Sequence, residues 1–281
     1  MAAAVVIGAV AALRRRRLAA DGDPRALDLP PWRLRGLPVC ASTETELDRW
    51  LASDPRLAGD DPLRAPRAVI ARRQRHGHGQ QGRAWSSPAG GVWLSAALPW
   101  PAEVGMAASL GLAVAVGLCL RLEIRGLPVR IKWPNDLVLI HATGGRAGPS
   151  RVDRRPLKLA GLLPRLRLRG RGCRWARVGV GLNVANRVPP GAVALAAPLG
   201  PGQAAPLPWC GEALTALEWA MAWAGRPEAV CALAEQRLLL PGAPVRLDGE
   251  DWQPAGLTTD GGLRLVSGGR QRVLRRGFGA G

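Results

Sequence analysis

The hydrophobic positions of this chain fall into short runs separated by glycine, proline and charged residues. Runs of a few residues rich in valine, isoleucine and leucine have the length and side chains of strands. Such runs occupy residues 68–71, 92–98, 129–133 and 137–140. Two longer runs, 157–168 and 174–182, also predict strands, the first of them broken at Gly161 and Pro164. The pattern therefore predicts a sheet across the middle of the chain.

Three stretches have the apolar pattern of helices. Residues 105–122 are almost continuously apolar, which predicts a buried core helix, and glycines interrupt the stretch too often for a membrane span. Residues 212–240 predict two helices divided by Gly-Arg-Pro. Thr43 and Glu46 form a capping box ahead of another helix. Ser42 and Thr43 there either cap the helix or receive a ligand, and this segment alone leaves both interpretations open.

The same pattern divides the chain into three parts. Residues 1–37 carry a short apolar run followed by four arginines, the reverse of the charge order of a secretory signal. We expect them to form a peripheral extension. Residues 38–236 hold the predicted helices and most of the strands. Residues 237–281 alternate short apolar runs with Asp-Gly and Gly-Gly turns, which predicts a small antiparallel β unit.

Composition changes how the polar residues are interpreted. The 281 residues carry a formal net charge of +18, almost wholly from arginine, with only two lysines and three asparagines. The arginines are scattered, whereas a nucleic-acid-binding protein clusters them beside aromatic residues. In a chain so rich in arginine, a retained lysine indicates a need for a compact point charge, with chance retention as the alternative.

Cysteine and histidine suggest neither a disulfide framework nor a metal site. The five cysteines are far apart and form no C-x-x-C pair, which predicts reduced, mostly buried thiols of a cytoplasmic protein. His76 and His78 have a spacing that can bind metal on an extended segment, but no cysteine or carboxylate lies beside them. We therefore expect no metal held by protein side chains.

A glycine-rich polar segment follows the run at 68–71. It extends from Gln74 to Ser87 as Q-R-H-G-H-G-Q-Q-G-R-A-W-S-S. Its glycines let the backbone approach a ligand closely, Arg83 offers a planar fork for a phosphate or carboxylate, and Trp85 offers a flat face. Its G-x-G-x-x-G spacing lacks the βαβ context of a dinucleotide site. Alone, the segment is either an exposed turn or a loop that closes over an anionic, partly planar ligand.

The two lysines stand in polar segments at strand positions. Lys132 precedes W-P-N-D at the end of one predicted strand, and Lys158 begins K-L-A-G in another. Side chains from neighbouring strands can converge, and two ammonium groups facing one pocket make a strong anion site.

Together these segments resemble those of the biotin–protein ligases, also called biotin–[acetyl-CoA-carboxylase] ligases. The resemblance covers roughly residues 38–281, and the matching segments keep the family's order. The segments are S-T at 42–43, Q-R-H-G-H-G-Q-Q-G-R-A-W at 74–85, K-W-P-N-D-L at 132–137, K-L-A-G-L-L at 158–163 and G-V-G-L-N-V at 179–184. The resemblance implies an α+β catalytic domain like that of class II synthetases. We expect a largely antiparallel sheet with helices on one side, followed by a small SH3-like β-barrel from about residue 237.

The resemblance also implies a reaction in two steps. The carboxylate of biotin attacks the α-phosphate of ATP, with Mg²⁺, to give biotinyl-5′-AMP and pyrophosphate. A lysine amine of biotin carboxyl carrier protein then attacks the mixed anhydride. By position, Lys158 contacts the carboxylate of biotin and the phosphate of the adenylate, while Lys132 and Arg83 add positive charge near the phosphate. Asp136 either orders the site or assists the acceptor amine.

Further positions are implied to bind the substrates. They are Ser42, Thr43, Gln74, His78, Gly79, Gln80, Trp85, Asn135, Gly161 and Asn183. The first three match positions around the ureido ring of biotin, and the loop residues lie where the family's loop folds over the adenylate. Gly161 lets the ring of biotin approach the backbone, and Asn183 lies near the adenine or ribose. Mg²⁺ is expected to enter with ATP.

The chain departs from the family pattern in four places. The loop commonly reads G-R-G-R or G-R-G-Q, and His78 takes the place of its first arginine, which implies looser retention of the adenylate. Glu44 stands where the family has asparagine in S-T-N. Residues 141–156 lengthen the link between the lysine motifs. The DNA-binding domain of bifunctional members is missing, so we expect ligase activity without repressor activity and neither a specific nucleic-acid partner nor a membrane partner.

Two alternatives from the sequence differ in chemistry. A lipoate-type protein ligase also activates its substrate as an acyl-adenylate, but W-P-N-D and the Gly/Gln loop pattern argue against it. An arginine-rich nucleic-acid-binding module belongs to another class, and the scattered charge argues against it.

Overall fold

The computed structural model describes residues 30–58, 61–103, 109–140, 155–170, 172–240 and 243–275. Their helices are α1 (Thr43–Ala52), α2 (Pro55–Ala58), α3 (Leu110–Glu123), α4 (Ala196–Leu199), α5 (Pro206–Ala222) and α6 (Pro227–Glu235), with 3₁₀ turns at Gln80–Gly82 and Pro201–Gln203. Their strands are β1 (Arg33–Leu37), β2 (Arg67–Ala71), β3 (Gly77–His78), β4 (Ala84–Trp85), β5 (Val92–Leu98), β6 (Val129–Lys132), β7 (Asp136–Leu139), β8 (Leu157–Arg169), β9 (Gly172–Leu182), β10 (Val245–Leu247), β11 (Glu250–Leu257), β12 (Leu263–Ser267) and β13 (Arg270–Leu274). Most of the long link at 141–156 and of the N-terminal extension lies outside the described residues.

Seven strands form the main sheet in the order β1-β2-β5-β9-β8-β7-β6. Its first pair, β1 and β2, is parallel, and the other neighbouring pairs are antiparallel. The W-P-N turn joins β6 to β7, so Lys132 pairs with Asp136 across it. The pairing of Asp136 with Gly161 then brings the K-L-A-G segment of β8 to the same end of the sheet.

Helices cover both faces of this sheet. On one face, Ala68 and Ile70 of β2 share the main hydrophobic core with α3 and α5. On the other face, Val69 packs with Leu47 and Leu51 of α1. The expectation of helices on one side is therefore wrong for α1. The cause lies in β2, which is buried at every position and so needs cover on both faces.

The N-terminus of α1 is capped by Ser42, one residue before the predicted capping residue. The Glu44 backbone N–H donates to Ser42 Oγ at 3.2 Å. Thr43, predicted to be the cap, uses its hydroxyl for contacts with Gln74 and Ser95 instead. The cap shifts because the tertiary contacts of Thr43 take the hydroxyl that the capping box would use.

Strand β8 runs unbroken from Leu157 to Arg169. The predicted break at Gly161 and Pro164 is wrong. Strand β7 pairs with β8 only as far as Gly161. Pro164 therefore lies where β8 has a single strand neighbour, β9, and a missing N–H is tolerated at such an open side.

Strand β1 extends the sheet into a segment that we expected to be peripheral. Its residues pair in register with β2 from Arg33 opposite Arg67 to Leu37 opposite Ala71. Just before it, Trp32 is buried and donates its indole N–H to Glu218 Oε1 at 2.8 Å. The stretch from Trp32 to Leu37 is thus part of the fold.

The C-terminal strands form a separate four-stranded antiparallel sheet in the order β10-β11-β12-β13. Trp252 and Leu265 from this sheet belong to the same buried cluster as α5 and α6. The expected α+β fold with a small C-terminal β unit is confirmed. The start of that unit at residue 237 stays a prediction, since Leu238 still forms a parallel bridge with Ile131 of the main sheet. Among the described residues, no helix has both the length and the apolar character that a bilayer span requires.

Candidate active site

A cleft of about 350 Å³ opens between the β3–β4 hairpin, the start of α1, the β6–β7 turn, the middle of β5, the first half of β8 and the end of β9. Thirteen of the fourteen predicted site residues line it. They are Ser42, Thr43, Gln74, His78, Gly79, Gln80, Arg83, Trp85, Lys132, Asn135, Asp136, Lys158 and Gly161. Segments that are far apart in sequence therefore meet around one space.

One predicted site residue, Asn183, does not line the cleft. It is buried, and its Oδ1 accepts a hydrogen bond from Asn186 Nδ2 at 3.0 Å. Its backbone N–H donates to the Leu159 carbonyl at 3.0 Å. In this structure the side chain of Asn183 holds the loop that follows β9.

A hydrogen-bonded wall forms where α1 begins. Gln74 Oε1 accepts from the backbone N–H of Thr43 at 2.7 Å and from its hydroxyl at 2.9 Å. The Thr43 hydroxyl also lies 2.8 Å from Ser95 Oγ, and Gln74 Nε2 donates to Ser87 Oγ at 2.8 Å. The network fixes the orientation of the Gln74 amide and presents hydroxyl groups, including that of Ser42, to the cleft.

The glycine-rich segment forms the short β3–β4 hairpin. A β-carbon at Gly77 would lie 2.4 Å from the Trp85 carbonyl oxygen, so only glycine fits beside β4. At the tip, Gln81 and Gly82 have φ angles of 57° and 72°. His78, the last residue of β3, and Arg83, just before β4, are exposed and border the cleft.

The indole of Trp85 lies on a patch of backbone that carries no side chains. Gly161 and Gly181 are directly opposite each other on β8 and β9. A β-carbon at Gly161 would lie 2.8 Å from Trp85 Cζ3, and one at Gly181 would lie 2.7 Å from Trp85 Nε1. Trp85 Nε1 is buried without a hydrogen-bond partner. The glycines in these strands thus admit the indole, and a ligand ring that reaches Gly161 must stack on it or displace it.

The positive groups of the cleft come from β6, β8 and the β3–β4 hairpin. Lys158 Nζ is 2.8 Å from Asp136 Oδ1 and 4.9 Å from the centre of the Trp85 ring. The Lys158 side chain is 36% exposed, so its ammonium can still reach a ligand. Lys132 and Arg83 are exposed and line the same cleft. Three cations line the cleft against two carboxylates, Asp136 and Glu44, and this excess of positive charge suits an anionic ligand.

Asn135 serves the sheet as well as the cleft. Its Nδ2 donates to the Leu162 carbonyl at 2.7 Å, and its own carbonyl accepts from the Leu162 N–H at 2.8 Å. These bonds fasten the β6–β7 turn to β8 and so hold Lys132 and Asp136 in place beside Lys158.

The predicted site residues leave out three polar residues that line the cleft: Glu44, Gln81 and Ser95. Ser95 lies inside an otherwise apolar strand, and a single serine there gives no signal of its own. Glu44 was noted only as a departure from the family pattern. Its partner Arg177 is buried in β9, and nothing in a sequence so rich in arginine distinguishes that residue.

Comparison with known proteins gives a family match over part of the chain. The profile of the Biotin/lipoate A/B protein ligase family matches residues 56–183, which contain the hairpin, both lysine segments and the glycine patch. The match spans a little less than half of the chain. The predicted resemblance to the biotin–protein ligase family is thereby confirmed.

Two curated relatives are ligases by name, and the name of the second specifies biotin. The bifunctional ligase/repressor BirA of Salmonella typhimurium is 36% identical over 129 residues, or 44% of this chain and 35% of that protein. The biotin–[acetyl-CoA-carboxylase] ligase of Paracoccus denitrificans is 34% identical over 131 residues, or 44% of this chain and 47% of that protein. The matches thus span less than half the length of either relative.

A solved structure shows the same fold across most of the chain. The biotin protein ligase from Aquifex aeolicus in complex with biotin and ATP has a TM-score of 0.63 at 23% identity. The likeness covers 88% of this chain and 97% of that one. At this identity the comparison establishes the fold.

Proposed function

We propose that this chain is a biotin–protein ligase that activates biotin with ATP and transfers it to a lysine of a carrier protein. The observation that carries the proposal is the convergence of Lys158, Lys132 and Arg83 on one cleft that Ser42 and Thr43 also line. The domain family and the names of the curated relatives support it.

The first step joins two anions. A carboxylate oxygen of biotin attacks the α-phosphorus of ATP, a new C–O–P linkage forms, and pyrophosphate leaves with the electron pair of the broken P–O bond. The reactants repel each other, so cations must lie between them. Lys158 holds the carboxylate and the α-phosphate together, and the exposed Lys132 and Arg83 neutralise the remaining phosphate charge.

Mg²⁺ fits this site as a companion of the nucleotide. The described residues contain no group of three His, Cys, Asp or Glu side chains placed to hold a metal ion. Mg²⁺ commonly keeps water ligands and binds phosphate oxygens with one or two carboxylates. Asp136 is the acidic side chain beside Lys158 and would be the protein carboxylate available to it.

The second step consumes the adenylate. The lysine amine of the carrier attacks the carbonyl carbon of the anhydride, an amide forms, and AMP leaves. Asp136 either keeps Lys158 in position, through their 2.8 Å ion pair, or accepts a proton from the incoming amine. The name of the Paracoccus relative supports the biotin carboxyl carrier protein of acetyl-CoA carboxylase as the acceptor.

One assay tests the proposal as a whole. The purified chain is incubated with ATP, Mg²⁺, biotin and a carrier domain, and mass spectrometry follows the carrier. We expect the carrier to gain one biotinoyl group, and a carrier whose acceptor lysine is replaced by arginine to gain none. Parallel reactions with lipoic acid test the other substrate class of the family. An unmodified carrier, or a carrier modified only with lipoic acid, would contradict the proposal.

A further inference from the structure

One carboxylate oxygen of Glu44 is buried beside the cleft without a partner. Glu44 lies in the first turn of α1, is 9% exposed and lines the cleft. Its Oε2 accepts from Arg177 Nη2 at 2.9 Å, whereas its Oε1 has no hydrogen bond. A β-carbon added at Gly179 would lie 3.3 Å from Oε1, so this oxygen faces side-chain-free backbone of β9.

The neighbouring donors make no hydrogen bond to this oxygen, although Arg177 Nε is itself buried without a partner. Buried carboxylate oxygens are normally hydrogen-bonded, and an exception at a cleft requires an explanation. The Thr43 hydroxyl is engaged with Gln74 and Ser95. The Glu44 backbone N–H is taken by the Ser42 hydroxyl. A donor for Oε1 can therefore come from a molecule bound in the cleft.

We propose that Glu44 Oε1 accepts a hydrogen bond from a ring N–H of the substrate and so selects a ureido ring. The inference rests on the proposed function, because the ureido ring of biotin carries two N–H groups. The dithiolane ring of lipoic acid carries none. Within a family that includes both biotin and lipoate ligases, an acceptor at this point favours biotin, since lipoate would leave the buried oxygen unpaired.

A purely structural role for Glu44 is the competing explanation. Arg177 Nε is also buried without a partner, and a small turn of the carboxylate would pair it with Oε1. Glu44 would then only hold α1 to β9. Asp48 offers a matched control because it binds the same guanidinium, with 2.5 Å between Arg177 Nη1 and Asp48 Oδ1, but does not line the cleft.

The first test compares Glu44→Gln with Asp48→Asn. Each variant removes one negative charge from Arg177. Glutamine keeps a single acceptor oxygen. When that oxygen accepts a hydrogen bond from Arg177, the NH₂ group of the glutamine faces the cleft. We expect the Kd for biotin, measured by calorimetry, to rise about 10- to 100-fold in Glu44→Gln, in line with the loss of a charge-assisted hydrogen bond. Asp48→Asn should stay within about threefold of the parent.

The second test uses biotin analogues in which each ring N–H in turn is replaced by oxygen. In the parent chain, one analogue should bind about 100-fold more weakly than biotin, because two acceptors would face each other. In Glu44→Gln that preference should shrink, since the amide can donate to the ring oxygen. If Glu44→Gln fails to fold, equal binding of biotin and both analogues by the parent still overturns the role of Glu44.

The outcomes separate the inference from the function on which it rests. Equal biotin affinity in the parent and Glu44→Gln, with unchanged analogue preference, would overturn the role of Glu44 and leave the ligase proposal standing. Equal losses of biotin affinity in Glu44→Gln and Asp48→Asn would assign the effect to the ion pairs with Arg177 and overturn the role of Glu44. A parent chain that binds no biotin would overturn both.

Discussion

Lys158 combines three roles at the scale of a single residue. It pairs with Asp136, lies over the Trp85 ring and faces the proposed meeting point of two anions. Because the chain has only two lysines, the sequence alone marked this residue as a candidate for the site. Its pairing with Asp136 was not predicted, since the pair depends on the exact register of β7 and β8.

Removal of this ammonium should abolish activation while the fold remains. We expect Lys158→Ala to slow biotinyl-adenylate formation about 30- to 1000-fold, the loss of roughly 2–4 kcal/mol of transition-state stabilisation. Lys158→Arg should restore little, because a planar fork does not replace a point charge between two crowded anions. Pyrophosphate release measures the effect, with exposed Arg270→Ala as the control. Release near the parent rate from Lys158→Ala would mean that the site is assigned wrongly.

The glycine patch under Trp85 makes a second prediction at this scale. In Gly181→Ala the new methyl group would lie 2.7 Å from the indole, so the ring must move. We expect the near-ultraviolet circular dichroism to change and biotin affinity to fall about tenfold, with a stability loss of about 1–3 kcal/mol from overpacking. Gly202→Ala, which has open space within 4 Å, is the matched control. Unchanged spectrum and affinity in Gly181→Ala would contradict this packing.

At the scale of elements, the end of α1 is tied to the sheet by an ion pair. Asp54, just after α1, binds the guanidinium of Arg67 at the start of β2, and its Oδ1 accepts from the Arg56 N–H at 3.0 Å. The hydrogen bonds from Arg67 and from the Arg56 backbone hold the pKa of Asp54 below its ordinary value of 3.8. A carboxylate with a lowered folded-state pKa stabilises the fold above its ordinary pKa, and this contribution is lost as the pH falls.

Asp54→Asn should therefore lower the Tm at neutral pH, and the difference from the parent should vanish as the pH falls well below 3.8. Thermal unfolding across this pH range measures it. Glu250→Gln, which breaks an exposed ion pair with Arg270, should change the Tm little at any pH. A Tm difference for Asp54→Asn that persists in acid would assign the effect to packing.

The hydrophobic pattern predicted most elements because the residues that define each of them are close together in the sequence. Val92–Leu98 begins and ends as expected, and the small C-terminal sheet follows its Gly-rich turns. The pattern failed where contacts between residues far apart in the sequence determine the local structure. Strand β1 depends on pairing with β2, and the cap of α1 depends on the distant Gln74 and Ser95. The family motifs predicted the polar lining of the cleft. They give no information on the hydrogen bond between Glu44 and Arg177, which depends on the tertiary fold.

At the scale of the whole molecule, the C-terminal sheet is joined to the catalytic region by shared structure. Trp252 and Leu265 complete the core around α5 and α6. Trp133, which lines the cleft, donates its indole N–H to the Gly261 carbonyl at 3.1 Å. Glu235 Oε1 accepts from the Leu257 N–H at 3.1 Å. The small sheet therefore supports the turn that carries Lys132 and Asp136.

This shared core predicts a single unfolding transition. Calorimetry should give one peak, with equal calorimetric and van't Hoff enthalpies. Glu235→Ala should lower that Tm without splitting the peak, since the loss of one hydrogen bond to a charged group costs about 1.5–3 kcal/mol. Two separated transitions would show that the C-terminal sheet folds independently of the main sheet.

All five cysteines are buried, so the native thiols should contribute little background in chemical labelling. Burial raises the pKa of Cys119 and Cys210 to about 12 and that of Cys40 and Cys231 to about 11, and it also raises the pKa of Cys173. Since the thiolate is the reactive form, alkylating reagents should leave the folded chain untouched. A cysteine placed at the exposed hairpin tip would accept a fluorophore selectively, so movement of that hairpin during turnover becomes observable in the otherwise native sequence.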